Sequence, residues 1–303
     1  MKAIITADWH LRSTRPRCRL DDDWMATQLS ALKQVSALSK KYDCPVIVVG
    51  DIFDTAASDV SFTLLNMIQD WAAKLSQKLY LIAGNHDLQY HDIVNLKKSA
   101  LGILLGSANV FDNVEIHSSF EKAAWAYNFG EDRNLLSAKK GYLPEIIFLH
   151  RLTFPNLNSI PPNVKASTAA DLLKEFPGAQ YIFTGDYHRH FIIEKKGRYV
   201  INPGCLLRQS ANEKEYEPQV VYVDTETNFI CTHPIEDNTE MVTDEYLRDM
   251  EQRENRIDAF VELLKTKGSL TLDFIKNVEA RIGENKQLET NVVSCIRELI
   301  YEG

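Results

Sequence analysis

No hydrophobic run in this sequence is long enough to cross a bilayer. The longest, PVIVVG, LYLIAG and LGILLG, fall far short of the roughly 20 apolar residues a spanning helix needs. Paired cysteines are also missing. Cys18, Cys44, Cys205, Cys231 and Cys295 are an odd, scattered set with no CxxC pair, which fits reduced thiols better than a disulfide framework. Positive charge is in deficit, with 34 Lys and Arg against 42 Asp and Glu and a net charge of -8. The chain as a whole therefore attracts neither nucleic acid nor an anionic membrane, and any polyanion it handles must meet a local basic patch. With 13 Gly and 10 Pro in 303 residues, it is neither collagen-like nor generally disordered. The opening MKAIITADWHL puts Asp8 where a signal peptide would continue its apolar core, so a cytoplasmic protein away from membranes is expected.

What is present is ample apolar content, 45% of residues, arranged with period. Residues 2–7, 45–50, 78–83, 145–149 and 180–184 are compact runs of Ile, Val and aromatics that predict buried strands. Between them, Met25, Leu29, Leu32 and Val35, then Leu64, Ile68, Trp71 and Leu75, keep helical spacing. Alternating strands and helices predict an α/β domain. From about 190 to 235 strands take over, with turn signals at Lys196-Gly197 and Glu226-Thr227-Asn228. A polar stretch at 236–240 reads as a linker. Beyond it come three helical patterns, Leu247 to Leu264, Phe274 to Ile282 and Leu288 to Leu299. The expected division is a catalytic domain over 1–238 and a helical segment over 239–303.

The chemistry lies at the strand ends. The five runs finish in ADWH, VVGDIFD, IAGNHD, FLH and FTGDYHRH, presenting Asp8 and His10, Asp51 and Asp54, Asn85, His86 and Asp87, His150, and Asp186, His188 and His190. Ligands of open α/β sheets bind outside the carboxyl ends of the strands, so these groups should meet on one rim. A single strand-end Asp is commonly a turn or cap residue. Five such ends together are explained by one two-metal site. Mixed carboxylate, imidazole and amide donors without thiolate suit Mn, Fe, Ni or Zn rather than Ca or a structural Zn.

In order and spacing, D-x-H, GDxxD, GNHD, a lone strand-end His and a final G-x-x-H resemble the calcineurin-like metallophosphoesterases over residues 1 to about 225. The resemblance implies a four-layer αββα fold with two central mixed β-sheets. It implies a first metal held by Asp8, His10 and His188, and a second held by Asn85, His150 and Asp186, with Asp51 bridging. It also implies that His86 protonates the leaving oxygen. The family's usual final motif has His where this chain has Asp186. A carboxylate is the harder ligand, which favours two Mn ions, with Mg, Fe or Ni as alternatives, over Zn. In a different register His188 and His190 form the pair, leaving Asp186 structural. In the preferred register His190 supports a ligand from behind or faces substrate.

GDIFDTA and GNHD differ from the motifs of the family's protein phosphatases. ADWHL, the tract VINPGCLLRQ and a helical tail resemble the SbcD-type nucleases, which implies DNA as substrate and an SbcC-like coiled-coil ATPase as partner. Small or cyclic phosphodiesters are the alternative substrates. Residues 12–19, RSTRPRCR, place Arg12, Arg15, Arg17 and Arg19 just after His10. They read either as a phosphate clamp, joined by Arg208, or as a solvated loop paired with Asp21-Asp22-Asp23. The apolar faces of the tail must pack in cis on the catalytic domain, on a second copy in a homodimer, or on the ATPase. His91, His117 and His233 read as loop or surface groups.

Overall fold

The computed structural model describes residues 1–106, 111–113, 124–130, 144–247, 256–257, 272–284 and 290–301. The chain divides into two compact units, Met1–Thr243 and Asp244–Gly303. The first is α/β with two mixed sheets. Strands β1 (Lys2–Thr6), β2 (Val46–Val49), β3 (Leu79–Ile82), β4 (Phe111–Asn113), β12 (Gln219–Asp224) and β13 (Phe229–Pro234) form one sheet, in the order β13-β12-β1-β2-β3-β4. Strands β5 (Ala124–Tyr127), β6 (Ile146–His150), β9 (Tyr181–Gly185), β10 (Phe191–Lys195) and β11 (Arg198–Asn202) form the other, in the order β10-β11-β9-β6-β5. The two strands β7 (Thr153–Phe154) and β8 (Ser167–Thr168) pair separately.

Alternate residues of each strand enter different cores, as the pleat requires. Ile5, Ile47 and Val49 pack between the sheets on Phe148, Tyr181, Phe183 and Ile201. Ile4, Val46, Val48 and Leu81 face outward onto α1 (Trp24–Tyr42), α2 (Phe62–Ala72) and α3 (Ala100–Gly106). Ile147, Leu149, Ile182 and Val200 cover the opposite face, under α4 (Ala169–Glu175). Four layers result, helices outside and two sheets within. Strands buried on both faces read as unbroken apolar runs, which is why VIVV and IIFL lack alternation.

Local chemistry sets the element ends. Asp23 caps α1 by accepting from the Ala26 N–H at 2.9 Å, and Asp43 ends it in the left-handed region at φ 46° after Lys40 and Lys41. Thr168 and Asp171 cap α4 reciprocally. Lys196 and Gly197, both at positive φ, close the β10–β11 hairpin as the sequence signal requires. Residues 239–243 stay with the first unit: Val242 is buried, and the Thr243 N–H donates to the Cys18 carbonyl at 2.7 Å. The second unit contains helices Leu272–Glu284 and Thr290–Tyr301, bridged by Arg297 and Glu279 at 2.9 Å. Most of the helical pattern expected at Leu247 to Leu264 lies outside the described residues, as does His117. No helix among the described residues is long and apolar enough to cross a membrane.

Candidate metal centre

Sharp turns direct the ligands inward where β1, β2 and β9 end. Asp8 (φ 50°), His10 (φ 45°), Asp51 (φ 51°) and Asp186 (φ 79°) all occupy the left-handed region, uncommon outside glycine and entered most readily by residues such as Asp and His. Such strain gathers at functional sites, held there by surrounding structure. That structure is dense. The Asp8 N–H donates to the Gly50 carbonyl, and the N–H groups of Trp9 and His10 both donate to the Asp51 carbonyl. Gly50 has φ 87°, and a Cβ there would collide with the His150 ring. Gly84 is needed for closeness: a Cβ would strike the Asp51 carboxylate.

The expected ligands converge. His10 Nε2 lies 3.0 Å from His188 Nε2, and Asp8 completes a triad with them. Asp8, Asp51 and His150 form a second triad. Asp51 Oδ2 lies between the two groups, 3.6 Å from His10 Nε2 and 3.3 Å from His150 Nε2. Asn85 Oδ1 is 3.0 Å from His150 Nε2. Asp186 lines a cleft of about 850 Å³ beside His150, with Arg151 and Lys165; its N–H donates to Asp8 Oδ1 at 3.0 Å. Neither the Asp186 carboxylate nor the His190 ring joins a triad among the described residues.

These donors fit divalent ions. Asp51 Oδ2 is buried with no hydrogen bond of good geometry and draws the His150 and His10 rings to 3.3 and 3.6 Å, a place where a positive ion would satisfy it. Two imidazole nitrogens 3.0 Å apart match two ligands at about 2.1 Å from one ion. Two of the three rings are aimed from behind: His150 Nδ1 donates to the Val49 carbonyl at 2.8 Å, and His188 Nδ1 to Glu213 Oε1 at 2.7 Å.

Charge in the site is tightly coupled. Burial raises Asp8 to about 6, with His188 and His150 opposing. Asp51, despite burial, is held well below the usual carboxylate range by His150 and His10. Burial disfavours charge on His150 and His188, but Asp51 and Asp8 for the first and Glu213 and Asp8 for the second outweigh it, lifting them to about 10 and about 9. For His10 burial wins and the ring falls to about 3, although Asp51 pulls upward. The carboxylates thus hold protons on His150 and His188, and a metal ion must displace them.

His86 is exposed, edge-on to the His10 ring at 4.8 Å. Its N–H donates to Asp51 Oδ1 at 2.9 Å, and its Nδ1 donates to the Asp54 carbonyl at 2.7 Å, which leaves Nε2 free. Asp54 also sits 3.8 Å from His10 Nδ1 and takes Arg12 at 2.8 Å. Buried Asp87 ties two motif loops together by accepting from the Ile52, Phe53 and Gly84 N–H groups. Burial raises its carboxyl to about 7.

The arginine expectation is corrected for Arg19 and Arg208. Arg19 is buried and bonded to Asp21 and Asp237, and Arg208 is buried with its guanidinium on the Tyr216 and Asp237 carbonyls. Both are internal ties, buried away from any phosphate in solvent. Arg12 is half-buried on Asp54 and Asp59. Arg15 and Arg17 are exposed, though Arg15 also donates to the Asp21 carbonyl. Tyr187 packs on Phe154 and Phe191. His233 is no free surface group either, since it bonds the Tyr42 hydroxyl at 2.9 Å. Glu213 escaped the sequence reading. Its signal was the capping box Ser210-x-x-Glu213, legible as a helix start but not as a histidine support.

The profile of the calcineurin-like phosphoesterases matches residues 1–190. The chain belongs to that family and is a dinuclear metal-dependent hydrolase. No curated protein matches it. Among solved structures, an archaeal phosphodiesterase is 16% identical, with a TM-score of 0.40 over 77% of this chain and 99% of its own. The nuclease MPE of Pseudomonas putida is 13% identical, with a TM-score of 0.33 over 76% of this chain and 87% of its own. A dimetal phosphatase of Danio rerio is 11% identical, with a TM-score of 0.42 over 78% and 99%. Likeness at this level says nothing about substrate.

Proposed function

We propose that this hydrolase is a phosphodiesterase acting on DNA, an SbcD-type nuclease that serves double-strand-break processing with an SbcC-like coiled-coil ATPase. The observation that carries this reading is the placement of the tract VINPGCLLRQ, by which the sequence resembles those nucleases. It forms a wall of the site: the Cys205 N–H donates to the His188 carbonyl, the Leu206 N–H to the Asp8 carbonyl, and Gln209 Nε2 to the Trp9 and His10 carbonyls.

Asp8, His10, Asp51 and His188 would hold one ion and Asp51, Asn85, His150 and Asp186 the other, Mn foremost. Two divalent ions, when bound, supply nucleophile activation and charge neutralisation at the phosphate. His86 in its protonated form delivers a proton from Nε2 to the leaving oxygen. The loops around Asp51 and Asp87 keep that ring fixed against the ligands. Arg15 and Arg17, with Lys165 at the cleft, are exposed cations that a DNA backbone would meet.

One observation favours small or cyclic phosphodiesters instead: Arg12, Arg19 and Arg208 are already committed to internal partners. The deciding experiment is Mn-dependent hydrolysis of linear DNA beside bis-p-nitrophenyl phosphate and cyclic nucleotides. Efficient DNA cleavage supports the nuclease; turnover of cyclic nucleotides alone overturns it. Loss of ATPase co-purification on removing residues 244–303, with cleavage kept, supports docking of the partner on the tail.

A further inference from the structure

The cleft of about 850 Å³ that opens at His150 and Asp186 lies within the range of small-molecule sites, roughly 300–1,000 Å³. Its walls are tied to the strands that present the ligands. Phe129 lies just beyond β5, and its N–H donates at 2.8 Å to the carbonyl of Ala83, which leads into Gly84 and Asn85. The Phe129 ring stands at 67° to the His150 ring, with centroids 6.3 Å apart. It is half-buried, packing partly on the core between the first sheet and its helices and lining the cleft. The β7–β8 pair supplies another wall. There the Ser167 N–H donates to the Leu152 carbonyl at 3.0 Å, and Thr184 Oγ1 in β9 donates to the Arg151 carbonyl at 2.8 Å.

The charges in this cleft do not cancel. Arg151 and Glu175 neutralise each other through two hydrogen bonds of 2.6 and 3.0 Å. Lys165 is exposed and has no ion pair among the described residues. With His150 and Asp186 committed to the metal centre, the cleft still offers a ligand an aromatic ring and an uncompensated cation. Neither His10 nor His86 is among the described residues that line it. The cleft therefore belongs to the side of His150 and Asp186 and not to that of the proton donor.

We propose that this cleft is the subsite for the nucleoside that stays on the phosphate, its base stacked on Phe129 and the phosphate at its far end paired with Lys165. This rests on the reading of the protein as a nucleic-acid phosphodiesterase in which His86 serves the leaving oxygen. Every base has a π-face, so Phe129 selects nucleosides without reading sequence. The Lys165 contact positions the strand and carries no sequence information either.

The test compares diesters that share p-nitrophenol as leaving group and differ only in what stays on phosphorus. They are methyl p-nitrophenyl phosphate, the two thymidine p-nitrophenyl phosphates joined through one or the other sugar hydroxyl, and the better of those two with a monophosphate on its remaining hydroxyl. The wild-type protein should favour the better thymidine ester over the methyl ester by at least about 5-fold in kcat/KM. The added phosphate should raise kcat/KM further, by a factor that shrinks as salt is added. Phe129→Leu, which keeps bulk against His150, should bring the thymidine-to-methyl ratio to about one, and Phe129→Tyr should restore it. Lys165→Ala should remove the gain from the added phosphate, and Lys165→Arg should restore it. An unchanged ratio in either variant, including an equal loss on every ester, overturns the role given to that residue. A wild-type protein that cleaves linear DNA yet shows no preference for thymidine esters overturns the subsite and leaves the nuclease reading standing. One that hydrolyses the methyl ester but neither the thymidine esters nor DNA removes the nucleic-acid reading itself.

Discussion

Glu213 Oε1 lies 2.7 Å from His188 Nδ1, and the other carboxylate oxygen accepts from the Gln209 and Ser210 N–H groups. One buried side chain thus fixes which nitrogen of His188 faces the site, while its own orientation is set by backbone donors. The pair settles the roles of both nitrogens: Nδ1 keeps its hydrogen on Glu213, and Nε2, beside His10, is the nitrogen that would face an ion once its proton is displaced.

Glu213→Ala should therefore weaken the ion held by Asp8, His10 and His188 by roughly 10–100-fold, the usual scale for a missing supporting carboxylate. Metal titration by calorimetry should show one weakened and one near-normal site. Equal affinity at both sites, matching wild type, would show that His188 needs no support.

His86 separates binding from chemistry. His86→Ala should keep its metal content while kcat on a phosphodiester drops roughly 100-fold or more, the scale of a missing general acid. Asp51→Asn, by contrast, alters the ligand between both histidine groups and should abolish activity together with metal occupancy. Metal analysis beside kinetics distinguishes them; a His86→Ala protein stripped of metal makes His86 a ligand.

Much of this was legible because ligands follow strands, and strands announce themselves as apolar runs. Asp8, His10, Asp51, Asn85 and His150 sit where four of the runs end, and the fold brings those ends together. The division of the runs between two sheets was not legible in the runs themselves, because β1 and β6 look alike when both faces are buried. Short β5, AWAY at 124–127, has too few residues to show a period. Arg19 shows a deeper limit. Its neighbours Asp21 to Asp23 suggest a solvated loop, yet its other carboxylate, Asp237, comes from the far end of the domain, and no local pattern points to it.

The last motif decides between two registers. Asp186 shares the cleft with His150 and donates its N–H to Asp8, whereas His190 Nδ1 is buried without a partner. Asp186→Ala should lose the ion associated with Asn85 and His150, and His190→Ala should retain both ions. Elemental analysis giving the reverse pattern selects His188 and His190 as the pair.

Burial divides the arginines into two experiments. Arg15→Ala with Arg17→Ala should weaken DNA binding and flatten the dependence of log K on log salt by about 0.9 for each phosphate no longer neutralised, with no change in thermal stability. Arg19→Ala should cost about 3 kcal/mol of stability, since it leaves buried Asp21 with Thr27 but no cation while Asp237 keeps Arg208. Denaturant titration measures the second and filter binding across salt the first. Salt-independent binding by the double variant's parent would mean that the loop touches no phosphate.

The same buried pair sets a pH dependence with a definite sign. Burial alone would raise the Asp21 pKa, but hydrogen bonds from Arg19 and Thr27 and the Arg19 charge outweigh it, so the folded value lies below the ordinary one. A carboxylate depressed on folding stabilises the native state above its unfolded pKa, near 3.9 for Asp, and that contribution drains away as pH falls through the folded value. Stability measured by urea unfolding should therefore fall with acid below about pH 4. Asp21→Asn should be less stable than wild type at pH 6 and should show a shallower fall below pH 4, because the titrating group is gone. Arg19 stays charged throughout, so the slope belongs to the carboxylate. Parallel curves for the two proteins, offset but equally steep, would assign the acid sensitivity to other carboxylates and leave Asp21 as packing alone.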